Sequence, residues 1–206
     1  MVESEIGALA DLAVETLDER EAAQSSLEAV GGLLRIQYNY ALPNLDGLSS
    51  LTSVGGLLYI SSQALTDVDG LSNLVSVGGA VYLTNLSALP NVDGLSSLAS
   101  VGGLLEIFDC AALTNVDGLA SLVSVGGDLD ISTNGALTNV DGLAALTSVG
   151  GRVFLSGNSH LTNVDGFSGL VSVGTVLGVI GNAALTNVDG LTSLTSVGSG
   201  GVRIWH

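Results

Sequence analysis

Lysine is absent from this chain, and only four arginines (Arg20, Arg35, Arg152, Arg203) stand against twenty acidic residues. The net charge of −16 leaves no basic surface for phosphate contacts, which excludes nucleic-acid backbones and argues against anionic membranes. The same balance favours solubility, cations or a basic partner, and it suits a high-salt setting. A single cysteine, Cys110, excludes an internal disulfide framework and any multi-cysteine metal cluster. No apolar run approaches the roughly 18 to 20 residues of a membrane span, so no membrane insertion is expected. Two histidines, one cysteine and no lysine leave little for acid–base or nucleophilic work. The glycines follow no phosphate-loop pattern. A protein that is not an enzyme and carries no cofactor is therefore expected. The opening MVESEIGALADLAVETLDER is acidic where a secretory leader is basic, and Asp11 and Glu15 interrupt its apolar positions.

What the chain has instead is repetition. Val-Gly recurs at Val30, Val54, Val77, Val101, Val125, Val149, Val173 and Val197. Asp-Gly recurs between those marks at Asp46, Asp69, Asp93, Asp117, Asp141, Asp165 and Asp189. Every spacing is 24 residues except one of 23 in each series, where a residue is missing between Val54 and Asp69. A fixed period of this length is the signature of a solenoid in which each repeat is one coil stacked on the last.

Within a coil, counted from the valine of Val-Gly, apolar residues alternate at the fourth and sixth positions, as in Leu129 and Ile131. Period-two alternation predicts a β-strand with one buried face. The remaining apolar columns show no helical period and are punctuated by Asn, Asp, Gly and Ser, so short strands or extended turns are expected and a helix in each coil is not. Stacked coils pair their backbones at about 4.8 Å, and each buried column becomes a ladder of like side chains. The fold expected is an all-β solenoid, a parallel β-helix of about eight 24-residue coils over residues 26–206. Residues 1–25 break the period and predict a capping α-helix with an apolar stripe of Ile6, Leu9, Leu12, Ala13 and Leu17. At the other end the last strand runs into VRIWH. An unpaired edge there, with Trp205 and His206, offers a way to stack copies end to end into a filament.

The pattern LTNVDGLxSLxSVGGxLxI resembles the receptor L-domain, the leucine-rich-repeat-like β-helix of hormone and growth-factor receptors and of many microbial surface proteins. The likeness covers about residues 26–206. It implies a right-handed solenoid with parallel sheets, used for binding without catalysis at a cell surface or in an extracellular structure. The disulfide-rich modules of the receptors are missing here, and no receptor ligand-binding residue carries over.

Several columns are candidate sites. The ninth position reads Asn39, Gln63, Leu86, Cys110, Asn134, Asn158 and Asn182. Asparagine there satisfies backbone groups at a turn, and Cys110 is expected as its buried substitute. The seven Asp-Gly aspartates form a column of like charge. Each is expected to accept backbone hydrogen bonds from its own turn, with raised pKa where repulsion wins; a line of calcium sites is the alternative. Thr-Asn pairs such as Thr114 and Asn115 predict turn chemistry, with an ice-binding threonine array as the alternative. The third, fifth and seventh positions point outward and vary most. They carry Arg35, Tyr59, Tyr82, Glu106, Asp130 and Phe154 in one column, with Phe108 and Trp205 beside it. Aromatics among acids on a rigid sheet are the makings of a contact surface for a protein or carbohydrate ligand.

Overall fold

The computed structural model describes residues 27–205, so the helical cap expected over residues 1–25 lies outside the described residues. Sixteen parallel strands form two sheets of eight. The broad sheet is built from Leu34–Gln37, Leu58–Ser61, Val81–Thr84, Leu105–Phe108, Leu129–Ser132, Val153–Ser156, Val176–Ile180 and Gly201–Trp205. The narrow sheet consists of two-residue strands, Ala29–Val30 and then Ser-Val pairs from Ser53–Val54 to Ser196–Val197. Strand order follows sequence order in both sheets, so each coil pairs only with the coils before and after it. The register is a shift of one repeat throughout, for example Leu129 against Leu105 and Val153.

Alternation decides what is inside. Leu58, Ile60, Leu83, Leu105, Ile107 and Leu155 have no accessible surface, while their strand neighbours face outward. Each buried aliphatic side chain of this size contributes about 1.5–3 kcal/mol relative to exposure, and the sum runs along the stack from neighbour to neighbour.

Between the sheets the chain departs from the strands or extended turns expected there. Each Asp-Gly-Leu forms one turn of 3₁₀ helix, from Asp46–Leu48 to Asp189–Leu191, with phenylalanine as third residue in Asp165–Phe167. The turn closes when the Leu71 N–H donates to the Val68 carbonyl at 2.9 Å, a bond repeated in every coil. Glycine is required because a Cβ on Gly70 would overlap the Leu45 carbonyl of the coil below.

The short coil also resolves differently from the sequence alignment. After each broad strand one residue turns with positive φ: Tyr38 (59°), Asn85 (56°), Asp109 (55°), Thr133 (62°), Gly157 (68°) and Gly181 (66°). The second coil lacks this residue, so Ser62, not Gln63, enters the ninth-position column. Ser62 is 2% exposed and donates to the Asn39 carbonyl at 2.6 Å. Gln63 is exposed.

That column is a polar ladder inside an apolar stack. Asn158 Oδ1 accepts from the Asn134 N–H at 2.9 Å, and its Nδ2 donates to the Ile131 carbonyl at 2.8 Å. Asn134 and Asn182 repeat both bonds one coil before and after. Cys110 occupies the same place with no accessible surface, its Sγ 3.6 Å from the Leu83 carbonyl.

Two substitutions test these devices. Asn158→Ala leaves the Asn134 N–H buried without its acceptor and takes the second donor from the Ile131 carbonyl, and a loss of about 1–3 kcal/mol is expected in denaturant unfolding. Thr133→Gly removes a β-branched residue from the left-handed region, where L-residues lose roughly 1–2 kcal/mol, and should raise the melting temperature by about 2–4 °C.

Candidate functional site

The broad sheet holds its outward side chains in files at strand spacing. In the fifth-position file the Arg35 guanidinium lies 5.3 Å from the Tyr59 ring centroid. The Tyr59 and Tyr82 rings follow at 5.7 Å between centroids, tilted by 41°. The Thr84 hydroxyl donates to the Tyr59 hydroxyl at 3.4 Å, which orients that ring. Sequence inspection pointed to the Arg35–Tyr59–Tyr82 stack but not to Thr84, whose role depends on a side chain reaching one coil back.

Glu106 and Asp130 come next and stand in register. Asp130 accepts a hydrogen bond from Ser132, while no cation meets either carboxylate among the described residues. Burial, and then the Asp130 charge, hold the Glu106 carboxyl above its ordinary range. Like charges directly opposite each other destabilise a sheet, so this pair is a local cost to the fold.

Phe154 follows, and the file runs on through Gly178 to Arg203. The Arg152 guanidinium sits 5.3 Å from its centroid. Arg152 is also held by Asp128: Nε and Nη2 donate to Oδ2 at 2.9 and 2.7 Å, and the backbone N–H donates to Oδ1 at 2.7 Å. The arginine draws the Asp128 carboxyl below its ordinary range against the opposing effect of burial. The phenyl ring reaches over Gly178, where a Cβ would stand 2.9 Å from a ring carbon. Phe108 (41% exposed) and Trp205 (50% exposed) lie in the seventh-position file, four coils apart, and do not meet. The narrow sheet contrasts with this face. Its shallow groove repeats serine, valine and glycine from Ser124 to Gly198.

The aspartate column needs a correction. The side chain that closes each turn is the residue two places earlier: Asn115 Oδ1 accepts from the Asp117 N–H at 3.0 Å, and Asn139 and Asn163 do the same for Asp141 and Asp165 at 3.1 and 2.9 Å. In the second coil Asp67 takes that role for Asp69. The aspartate itself is the first residue of the 3₁₀ turn, exposed, and contributes its backbone carbonyl. Its carboxylate caps nothing because the N-cap position belongs to Val116 and its equivalents, which point inward.

The threonines one place before the asparagines are committed to the stack. Thr138 Oγ1 donates to the Thr114 carbonyl at 3.0 Å and accepts from Asn139 Nδ2 at 3.4 Å, and the pattern continues at Thr162 and Thr186. Cys110 is buried, and burial pushes its thiol up to about 12, which leaves no thiolate for chemistry near neutral pH. His160 is exposed and bonds to the Gly135 carbonyl, away from Cys110. Among the described residues no group of three or more His, Cys, Asp or Glu side chains is placed to hold a metal ion, and no helix is long and apolar enough to cross a membrane. No protein-family model matches the chain, and no curated protein matches it.

Asp141 sets a pH dependence. Burial, then Asp165 and Asp117, raise the Asp141 pKa. A raised folded-state pKa means that the folded protein holds the proton more tightly than the unfolded one. The stability tied to that proton is lost as pH rises through the folded value. Asp141→Asn should therefore raise the melting temperature at pH 7 in low salt. The gain should shrink in 1 M NaCl, where the Debye length is about 3 Å, and should disappear near pH 3.

Proposed function

We propose that this protein is a non-catalytic binding or adhesion module of receptor L-domain type, acting at a cell surface or in an extracellular structure. Its right-handed coil and helical N-terminal cap belong to the same proposal. The ligand is a protein or a carbohydrate, and it is recognised by the outward face of the broad sheet. One observation carries this: the fifth-position file is one of the outward files in which an otherwise regular repeat changes from coil to coil. There it places an arginine, two tyrosines, two carboxylates outside any ion pair and a phenylalanine in a row.

The chemistry of the file fits recognition. Tyrosine offers a large, rigid contact area with a hydroxyl at its tip, and such residues dominate binding energy where they sit at the centre of a contact. The carboxylates of Glu106 and Asp130 accept hydrogen bonds from sugar hydroxyls or from basic side chains. The backbone beneath Tyr59 to Phe154 is tied on both sides by parallel pairing, so little order has to be gained there on binding.

Glycan and protein arrays probed with the intact chain should return a ligand whose affinity falls about tenfold or more in both Tyr59→Ala and Tyr82→Ala, as expected for aromatic anchors. A ligand bound equally well by wild type and both variants would remove this face from consideration.

A further inference from the structure

The broad face changes character along the stack. Beside the fifth-position file runs the third, whose register is fixed by hydrogen bonds at the strand entries. The Leu58 N–H donates to the Ala80 carbonyl at 2.9 Å, Val81 to Leu104 at 2.7 Å and Leu105 to Asp128 at 2.9 Å. In the second to fourth coils this file reads Leu57, Ala80 and Leu104, each half-buried. Alternation sets Leu57 and Ala80 on the same side of the sheet as Tyr59 and Tyr82, two residues on. These coils therefore present one apolar strip, two files wide, in the interior of the stack.

The strip ends in acids. The fifth file turns to Glu106 and Asp130, the third to Asp128. Asp128 is paired with Arg152, whose guanidinium also lies over Phe154. Glu106 and Asp130 are half-buried and outside any ion pair among the described residues. Phe108, 41% exposed, stands two residues beyond Glu106 and opposite Ser132. A coil spacing of about 4.8 Å puts Glu106 one step from Tyr82 and two from Tyr59.

Given the broad sheet as the recognition face proposed above, we infer that its ligand is a segment of another protein that sets an arginine between Glu106 and Asp130 and an apolar side chain against Leu57, Tyr59 and Tyr82. A sugar ring carries hydroxyls around its rim, and those turned toward Leu57 and Leu104 would lose water without gaining a partner. An aliphatic or aromatic side chain gains by the same burial. At the acidic end a guanidinium supplies a planar fork of N–H donors and a charge, which a neutral hydroxyl does not. That charge removes the repulsion between the two carboxylates, which together with burial holds the Glu106 carboxyl above its ordinary range. Phe108 adds an exposed ring for the cation to rest against. Over longer range the net charge of −16 draws a basic partner toward the chain.

The probe is a phage-displayed library of random peptides panned against the intact chain. Selected sequences should combine arginine with leucine or an aromatic residue. The strongest binder, synthesised, should lose affinity about tenfold or more in Glu106→Gln and in Asp130→Asn. Replacing its arginine by alanine should cost as much against the wild type and little further against the double variant, the mark of a direct pair. Both single variants should melt above the wild type, since each removes one of two like charges that oppose folding, so their lost affinity is not a folding defect. A library that returns no binder, or only binders without arginine, overturns the inference. A binder weakened by Tyr82→Ala but untouched by Glu106→Gln and Asp130→Asn keeps the face in use and overturns the arginine anchor alone. Binding untouched by all three variants removes the face as well.

Discussion

Parallel pairing in strict register, one repeat per step, is the constraint on which the rest of the structure depends. It brings each residue beside its own equivalent 23 to 25 positions away, so every choice made in one coil is repeated as a contact. Apolar columns gain by this, since a leucine above a leucine is buried on both sides. The cost of losing register explains how the short coil is accommodated. The missing residue is taken from the left-handed turn, outside both sheets, and Leu58–Ser61 keeps its place against Leu34–Gln37.

The same stacking rewards amides and penalises carboxylates. An asparagine carries a donor and an acceptor, so a column of them links coil to coil without a net charge, as Asn134, Asn158 and Asn182 do inside the core. An ionised aspartate only accepts, and a column of aspartates repels itself. The chain keeps that column on the exposed side of the 3₁₀ turns, where water weakens the repulsion, and gives the turn-closing role to asparagine. The one salt bridge among the described residues, Arg152 with Asp128, lies on the broad sheet beside the most varied file.

Variation and constancy therefore have different causes along the repeat. Val-Gly, Asp-Gly, asparagine and leucine recur because each coil needs them to turn, to close and to fill its interior. The outward positions of the broad sheet have no such duty. They can carry aromatic rings and acids on a backbone already held by the stacked coils, and this separation of scaffold from surface is what suits a repeat protein to recognition.

Much of the fold was legible in the residues alone. The 24-residue period implied one coil per repeat, the alternation around Leu129 and Ile131 marked the buried face, and the stacking of Arg35, Tyr59 and Tyr82 followed from equal offsets. These are local patterns, and a local pattern needs only a periodic backbone to become a column. What depended on the approach of neighbouring coils could be decided only in three dimensions. The close approach of the Leu45 carbonyl to Gly70 admits only glycine in the 3₁₀ turn, the position of the N–H of Asp117 selects Asn115 as its acceptor, and the lost turn residue moves Ser62 into the ladder in place of Gln63. Partner choice for a hydrogen bond is set by distance and direction across the stack, which spacing along the chain does not record.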